Sequence, residues 1–382
     1  MEREVIVVGA GPSGTTAAMA LAQQGHDVLL LDRKAFPRDK TCGDAIPGGA
    51  IEILYGLGMK ERIQDANFYP AYKMLLSSPN QHEIIADLHK GPNGGDSCIV
   101  PRYIFDAVLY DHAIDSGADF CQAQVKEPII EEGQVKGVRI KVNGKLEDIR
   151  AKVVIGADGV TSVVARSLLD YKHEDKHRAV ALRAYIEDFE IIPNLVEFYL
   201  YKDILPGYAW IFPYGEGKAN IGLGMRLDKF RKESGSLEEM LDVFMEIPAI
   251  KKRSSSQTSI NNLATWQLNF GSKWDIQRAF DGAILIGDAA GLINPLTGGG
   301  IHNGVISAKI AAEVIHEALC KNDFSRQQFL RYETECTDKM EKGMKRSFLI
   351  QRTLLNMPIV VDWLIRFGSA SGELSQTFVN KL

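Results

Sequence analysis

The stretch "EVIVVGAGPSG" near the N-terminus limits the possible folds of this chain more than any other part of it. Its apolar run predicts a buried parallel strand, and residues 13–24 predict a helix. The turn between them holds Gly9, Gly11 and Gly14 in a Gly-x-Gly-x-x-Gly pattern. The first glycine permits a tight turn, the second lets the backbone approach a pyrophosphate, and the third lets helix and strand pack closely. With a second strand at 27–32, this pattern predicts a βαβ unit that binds a dinucleotide.

Further residues beside this turn are candidate ligands of the dinucleotide. Pro12 and Ser13 lie at the beginning of the helix, whose unpaired N–H groups attract an anion. Asp32 ends the second strand 18 residues after Gly14, at the position where a carboxylate bonds a ribose hydroxyl. Arg33 follows it and belongs to the same predicted site.

Length and charge exclude several classes of protein. With 382 residues the chain exceeds what one hydrophobic core normally organises, so two or three domains are expected. A net charge of −5 offers no basic field for nucleic acid, so no such partner is predicted. The five cysteines are scattered, so neither a disulfide framework nor a metal site is expected. The sequence has no charged leader and no run of about 20 apolar residues, which predicts a cytoplasmic protein without a transmembrane helix.

Two later stretches carry a similar strand-and-turn pattern. "GADGVTSVVAR" supplies Asp158 as a candidate ligand. "LIGDAAGLINPLTGGGIHNG" supplies a larger group, namely Gly287, Asp288, Pro295, Gly298, Gly299, Gly300 and Ile301. A single aspartate after a strand commonly caps the next helix, which is the simplest role for each aspartate taken alone. Only their combination with the N-terminal glycines indicates a cofactor site.

Together the three stretches resemble the flavoproteins of the p-hydroxybenzoate hydroxylase fold over roughly residues 3–335. The resemblance implies that the dinucleotide is FAD rather than NAD. It also implies that Asp288 bonds the ribityl chain, that the glycines before Ile301 face the pyrimidine edge of the flavin ring, and that Arg102 lies near the FAD phosphates. A helix N-terminus at that edge suits the negative charge that reduced flavin carries near N1.

The stretch "GYAWIFPYGEG" is an unusual predicted strand. Tyr208, Trp210 and Phe212 occupy alternate positions, so a strand places all three rings on one face. The residues between them, Ala209 and Ile211, make the other face apolar as well. Such a wall is either core or one side of a pocket for a large apolar molecule, and both interpretations stay open at this point.

This strand and the loop "FPRDKTCGDAIPGGAIEIL" resemble the geranylgeranyl reductase family. That family has a Lys-x-Cys-Gly loop, here Lys40 to Gly43, and a Tyr-x-Trp-x-Phe-Pro strand followed by a glycine, here Gly222 or Gly224. The resemblance implies that the aromatic strand lines a pocket that leads an isoprenoid chain to the flavin. It further implies that Cys42 lies in this pocket beside the cofactor, either as a proton donor or to shape the site.

The resemblance therefore predicts an FAD-dependent oxidoreductase that reduces C=C bonds of an isoprenoid or polyprenyl lipid. The candidate catalytic residues are Cys42, Tyr208, Trp210 and Phe212. A salt bridge within the loop is the simplest interpretation of Lys40 and Asp44. Because the sequence has no second dinucleotide motif, electrons are expected from NAD(P)H that docks without its own domain, from ferredoxin or from a separate reductase.

The same fold also carries monooxygenases and halogenases that act on aromatic or other hydrophobic substrates. A halogenase needs a lysine beside its substrate, and Lys73 is the candidate in this sequence. A non-enzymatic flavin-binding regulator is the third hypothesis. It predicts bound FAD without any turnover of a substrate.

The strand pattern predicts an α/β (α+β) fold with a Rossmann-like FAD-binding domain, an inserted antiparallel β-sheet substrate domain and a C-terminal helical tail. The predicted bounds are 1–75, 96–178 and 275–335 for the first, 76–95 and 179–274 for the second, and 336–382 for the tail. A charged helix is expected at 236–253. The tail either packs on the FAD-binding domain or offers a surface that takes lipid from a membrane, which would place the protein peripherally at that membrane.

Overall fold

The computed structural model describes residues 2–88, 96–170, 174–233, 235–273, 276–353 and 356–368. The other residues of the predicted domains, among them 89–95 and 369–382, lie outside this description. The fold is mixed α/β, with a largely parallel sheet, a largely antiparallel sheet and a small third sheet, so the predicted fold class is confirmed. The bounds of the domains stay a prediction.

The first sheet is built on the predicted βαβ unit. Its strands are β1 (Glu2–Val8), β2 (Val28–Asp32), β8 (Asp119–Gln122), β9 (Gln124–Glu131), β10 (Gln134–Val142), β11 (Lys145–Gly156), β17 (Ala279–Phe280) and β18 (Ala283–Leu285). They follow the order β17-β18-β11-β1-β2-β8, with β10 and β9 attached at β11. Strand β1 pairs in parallel with both β2 and β11, and its residues Val5, Ile6 and Val7 are fully buried. The carboxyl ends of these strands meet at one edge, which is where parallel sheets bind ligands.

Helices cover this sheet and share one large apolar core with it. They are α1 (Pro12–Gln23), α2 (Gly48–Gly56), α3 (Lys60–Asp65), α4 (Arg102–Asp115), α5 (Val163–Leu168) and α9 (Ile301–Lys321). Helices α1 and α9 pack against each other, although their sequences lie far apart. Their N-termini therefore lie close together, at the edge where strands β1 and β18 end.

The second sheet has seven strands, β5 (Lys73–Ser77), β6 (Glu83–Asp87), β12 (Arg178–Phe189), β13 (Leu195–Tyr199), β14 (Tyr208–Gly215), β15 (Lys218–Arg226) and β16 (Ser254–Asn269). Their order is β16-β12-β15-β14-β13-β5-β6. The neighbours are antiparallel except β13 and β5, which run parallel. These two strands are joined by a long connection rather than a hairpin, so the chain can return in the same direction. The three strands β3 (Ala45–Ile46), β4 (Tyr69–Ala71) and β7 (Ser97–Ile99) form the third sheet.

The prediction of a single charged helix at 236–253 is wrong. The structure has two helices there, α7 (Leu237–Met245) and α8 (Pro248–Lys251), which follow the short helix α6 (Leu227–Phe230). Pro248 lacks an N–H group and stands at the first position of α8, where that group has no intrahelical partner. The proline therefore ends one helix and begins the next.

Helix α10 (Arg326–Cys336) leads into the tail, which consists of a π-helical segment (Thr337–Glu341), α11 (Lys342–Thr353) and α12 (Pro358–Gly368). Helix α11 contacts the loop before α9, because the Asn294 side-chain amide donates to Ser347 Oγ (3.2 Å) and the Gln351 amide donates to the Pro295 carbonyl. Within the described residues, no helix alone is long and apolar enough to cross a membrane, although one bent pair, Arg326–Thr353 with Pro358–Gly368, meets that test together.

Candidate active site

A cavity of about 780 Å³ lies between the first and second sheets. The predicted site residues that line it are Gly9, Gly11, Pro12, Ser13, Asp32, Arg33, Cys42, Gly43, Arg102, Asp158, Tyr208, Trp210, Phe212, Asp288, Pro295, Gly298, Gly299, Gly300 and Ile301. Gly14 and Gly287 do not line it but pack directly behind it. A Cβ atom added at Gly14 would lie 1.8 Å from the Gly9 carbonyl oxygen, and one at Gly287 would lie 2.5 Å from Ser13 Oγ. The fold thus gathers residues from the whole chain around one cavity, while their individual roles stay predictions.

The glycine turn forms one end of this cavity. Gly9 has a φ of +102°, and a Cβ atom there would lie 2.5 Å from the Ala157 carbonyl oxygen, so only glycine fits. Gly11 differs, because an added Cβ atom would meet only the Arg38 guanidinium, at 4.0 Å. The space beside Gly11, at the N-terminus of α1, is therefore open to a ligand, as a bound pyrophosphate requires.

Two arginines and two aspartates surround that space. Asp32 Oδ2 accepts the Ala10 N–H (3.0 Å) and lies 3.7 Å from the Arg38 guanidinium. Arg38 also donates to Asp106 Oδ2 (2.7 Å). Arg102 donates to both oxygens of the same carboxylate, to Oδ1 at 2.6 Å and to Oδ2 at 2.8 Å. Sequence reasoning missed Arg38 and Asp106. The four-residue spacing of Arg102 and Asp106 on a helix was the signal that could have found the pair.

A second half of the site comes from the loop before α9. The half-buried Asp288 carboxyl has a raised pKa because it is desolvated, and the positive charges of Lys40 and Arg102 oppose this rise. A Cβ atom at Gly300 would lie 2.6 Å from Asp288 Oδ1, so glycine is needed where α9 begins. The Tyr208 hydroxyl donates to the Thr297 carbonyl and joins this loop to the second sheet.

Asp158 also lines the cavity, but its carboxylate is already engaged. It accepts hydrogen bonds from the Ser162 hydroxyl and from the Val163 N–H (2.7 Å) at the start of α5. The cap of α5 is Ser162, which accepts the Ala165 N–H (2.9 Å), so Asp158 supports that cap rather than forming it, and its role towards the cofactor stays a prediction.

These features fit FAD as the resident cofactor. The open space at Gly11 suits a pyrophosphate, the Asp32 carboxylate lies where a ribose hydroxyl would bind, and Asp288 with the glycine-rich start of α9 suits the flavin end. Arg38 and Arg102, although paired with Asp32 and Asp106, would offer guanidinium donors to the phosphates.

The aromatic strand β14 is both a cavity wall and a core strand. Tyr208, Trp210 and Phe212 line the cavity, whereas Ala209 and Ile211 are completely buried in a separate apolar core on the other face. A Cβ atom at Gly43 would lie 3.2 Å from the Phe212 ring and 3.5 Å from Trp210 Nε1, so the Cys42 loop rests directly on this wall. The aromatic face itself therefore has both features, because its rings line the cavity while Trp210 and Phe212 also pack in a small apolar cluster. Its role towards a substrate stays a prediction.

Gly222 provides the room for the Trp210 indole. It lies opposite Trp210 on β15, and an added Cβ atom would be 2.3 Å from the indole Cζ2 and 2.2 Å from the Leu182 carbonyl oxygen. Gly224 lies opposite Tyr208, and its added Cβ atom would approach Ala181 only to 3.2 Å. Of the two candidate glycines, Gly222 is the one that the tryptophan requires.

Lys40 and Asp44 make other contacts than the salt bridge that was their simplest interpretation. Lys40 places its ammonium 3.6 Å from the centre of the Trp266 ring, and burial together with the charge of Arg102 lowers its pKa to about 8. Asp44 is completely buried and accepts hydrogen bonds from Tyr185 and Asn220. The prediction of a salt bridge between Lys40 and Asp44 is therefore wrong.

Two other predicted side chains can now be placed. Burial raises the pKa of the Cys42 thiol, and the nearby Arg102 charge opposes this rise, so the thiol is mostly neutral in the folded protein. Lys73 is exposed at the start of β5 and does not line the cavity. The halogenase hypothesis therefore loses the lysine on which it depended.

Comparisons with known proteins agree with this site. A family model described as FAD binding domain matches residues 2–347, which confirms the predicted cofactor. Digeranylgeranylglycerophospholipid reductase 2 of Methanopyrus kandleri is 31% identical over 359 residues, covering 90% of this chain and 85% of the relative. A solved structure of a geranylgeranyl bacteriochlorophyll reductase-like protein from Thermoplasma acidophilum has a TM-score of 0.87 at 29% identity, covering 98% of this chain and 94% of that one. A flavin-dependent brominase has a TM-score of 0.79 at 19% identity, covering 98% and 93%, and is similar in fold alone.

We predict that Gly11→Ala weakens FAD binding at least tenfold without destabilising the apoprotein. The added methyl group enters the open space beside α1 but contacts no protein atom closer than 4.0 Å. The measurements are the flavin absorbance retained after gel filtration and the thermal unfolding of the apoprotein. Gly56→Ala is the matched control, because its added Cβ atom also meets nothing within 4 Å but lies on α2. Full retention of FAD by Gly11→Ala would contradict the assignment.

We predict that Gly222→Ala lowers the free energy of unfolding by on the order of 3 kcal/mol, because it forces the indole and a neighbouring strand apart. Urea denaturation of the apoprotein measures this loss. Gly224→Ala, two residues further along the same strand, is expected to cost clearly less. Equal losses in the two variants would mean that the Trp210 packing does not depend on Gly222.

Proposed function

Because the chain belongs to the geranylgeranyl reductase family of FAD-dependent oxidoreductases, we propose that it reduces C=C bonds in the chains of an isoprenoid lipid. The observation that carries this proposal is the aromatic wall. It runs from Phe212 and Trp210, which contact the Cys42 loop, to Tyr208, which packs with Val361 of α12 in one apolar cluster, and Val361 lines the same cavity. A long apolar chain could lie along it with one end near the cofactor.

Part of the cavity lining has the chemistry that such a chain needs. It is apolar and consists of Met74, Leu76, Val196, Phe198, Leu200, Leu268, Leu296 and Val361. Burying a hydrocarbon against these side chains is favourable in proportion to the area removed from water. The relative from Methanopyrus kandleri is a digeranylgeranylglycerophospholipid reductase, and the substrate in its name is an isoprenoid lipid.

The chain's own residues support a reduction of an isolated double bond. When bound and reduced, FAD supplies a hydride. The faces of Trp210 and Phe212 line the cavity and stabilise positive charge that develops on carbon. The loop from Lys40 to Asp44 and the wall beneath it keep water away from the reacting carbons. An external donor of electrons, either NAD(P)H, ferredoxin or a reductase, completes the proposal.

The test is a mass spectrum taken with and without oxygen. Enzyme reduced by dithionite under anaerobic conditions is expected to convert a polyprenyl lipid to products heavier by two hydrogen atoms for each double bond reduced. Reduced enzyme without lipid, and lipid with free reduced FAD, are the controls. Turnover that requires oxygen, or oxygen together with halide, would instead establish a monooxygenase or a halogenase. Absence of any turnover with FAD bound would favour the regulator.

We further propose that helix α12 rests on a lipid surface. Ile359, Trp363 and Phe367 repeat every four residues on one face and are 85%, 56% and 53% exposed. The opposite face carries Val361 and Ile365, which are buried against the second sheet. Helix α12 thus presents one face to the cavity and a second, apolar face to the protein surface.

Two more features favour a bilayer as the partner of this face. Asp362 fixes the orientation of α12, since it accepts hydrogen bonds from Ser78 Oγ (2.5 Å) and the Asn80 N–H (3.1 Å). Helix α11, which precedes it, carries the basic residues Arg346 and Arg352. An exposed apolar face with tryptophan is typical of helices that lie in a membrane interface, and basic residues on the preceding helix suit an anionic membrane.

We predict that the double variant Ile359→Ser, Trp363→Ser binds anionic lipid vesicles at least tenfold more weakly, because each side chain contributes about 1.5–3 kcal/mol when it is buried. Co-sedimentation with vesicles measures this. Leu146→Ser is the control, since Leu146 is 63% exposed on β11. Turnover of a detergent-dispersed lipid should be unchanged in the double variant. Vesicle binding equal to that of the wild type would refute the proposal.

A further inference from the structure

Lys40 brings an ammonium group without an anionic partner to the cavity wall. The residue lies in the loop after β2, two positions before Cys42, and it is half-buried where it lines the cavity. Within the described part of the chain, no carboxylate forms a salt bridge with its ammonium and no side chain forms a hydrogen bond with it. A half-buried charge without a partner is costly, which indicates that a molecule bound in the cavity supplies the anion.

The indole of Trp266 fixes the position of this ammonium. The Lys40 nitrogen lies 3.6 Å from the centre of the ring. Trp266, on β16, is itself half-buried and lines the same cavity, so a molecule in the cavity reaches both side chains. The face of a ring attracts a cation but leaves the N–H donors of the ammonium available to a ligand.

Charged and titratable groups from three parts of the chain face Lys40. They are Arg102 on α4, Asp288 in the loop before α9, and Arg38 and Cys42 in its own loop. The two arginines belong to the nucleotide end of the site, whereas Asp288 belongs to the flavin end. The ammonium is therefore within electrostatic reach of both ends of the FAD site.

FAD offers two kinds of anion to such a group. Its phosphates are always charged, whereas its flavin ring becomes negative near N1 only when it is reduced. The permanent charges of Arg38 and Arg102 suit the phosphates. Lys40 differs, because burial and the charge of Arg102 lower its pKa to about 8. A lysine whose charge changes near neutral pH suits an anion that appears only on reduction.

We propose that the Lys40 ammonium is the counter-ion of the reduced flavin, and that Lys40 takes up a proton when the flavin is reduced. An external donor, NAD(P)H or a reductase, supplies two electrons. These electrons and one proton enter the flavin and leave it with one negative charge. Where Lys40 is neutral, a second proton from water binds to the free electron pair of its nitrogen. The inference needs bound FAD but no lipid substrate, so it goes beyond the proposed function.

Thermodynamic linkage gives this inference a pH dependence. Charged Lys40 favours reduced over oxidised flavin, and the reduced flavin raises the pKa of Lys40 by the same free energy. Below about pH 8 Lys40 is charged in both redox states, so reduction takes up one proton. Above about pH 8 Lys40 is neutral beside oxidised flavin and is charged beside reduced flavin until its raised pKa is passed. Reduction in this upper range therefore takes up two protons.

The test is a spectroelectrochemical titration of the FAD-loaded enzyme without lipid, from pH 7 to pH 10. In the wild type the midpoint potential is expected to depend twice as steeply on pH above about pH 8 as below it. Lys40→Met is expected to show no such steepening above this pH. At pH 7 it should bind reduced FAD at least tenfold more weakly relative to oxidised FAD, which makes the potential about 30 mV more negative.

Two further variants separate the charge of Lys40 from its titration. Lys40→Arg keeps a positive charge that does not titrate in this range, so it should restore the potential at pH 7 without the steepening at high pH. Lys73→Met removes an exposed lysine that does not line the cavity, and it should match the wild type at every pH.

Three outcomes would overturn the inference. The first is an equal pH dependence of the potential in the wild type and Lys40→Met, with FAD bound in both. The second is an equal loss of affinity for oxidised and reduced FAD in Lys40→Met, which would assign the ammonium to a phosphate of FAD. The third is an effect of Lys40→Met confined to the affinity for an anionic lipid. Because the titration contains no lipid, its result is independent of whether the enzyme reduces isoprenoid chains.

Discussion

The cavity depends on a single buried amide, that of Asn220. Its oxygen accepts the Trp210 Nε1–H (2.9 Å), and its nitrogen donates to the Cys42 carbonyl (2.9 Å) and to Asp44 Oδ2 (2.8 Å). These bonds join the aromatic wall of the second sheet to the Cys42 loop, which follows β2 of the first sheet. Each buried bond contributes about 1 kcal/mol, but an orphaned partner costs about 1–3 kcal/mol, so the three partners are held as a unit.

The sequence was sufficient where the information is local. The glycine turn with Asp32 predicts the nucleotide end, because a turn, a helix start and a strand end are fixed by neighbouring residues. The alternation of Tyr208, Trp210 and Phe212 predicts one shared face, because strand periodicity is also local. These rules placed most of the candidate site around one cavity. They also left open whether the face was core or wall, since burial on each side depends on what packs there.

Local sequence patterns could not predict the hydrogen-bond partners of Asn220, because these depend on the register in which the strands pair. Asn220 lies opposite Phe212 on one neighbouring strand and opposite Tyr185 on the other. Nothing in the residues around Asn220 indicates that pairing, and a shift by one residue would turn its side chain to the other face. Arg38 was missed for a similar reason, since its partners Asp32 and Asp106 come from two other elements.

The C-terminal helices support the cavity at two places. Helix α11 holds the Pro295 loop through Gln351, and α12 lines the same cavity with Val361. The Asn356 amide bonds the last carbonyls of α11, including that of Gln351 at 3.5 Å, so the two helices are connected through side chain as well as backbone. Any ligand that displaces α12 therefore acts on the loop that holds the cofactor. Thermodynamic linkage makes this reciprocal: whatever factor such a ligand imposes on the affinity for flavin, the flavin imposes on the affinity for that ligand.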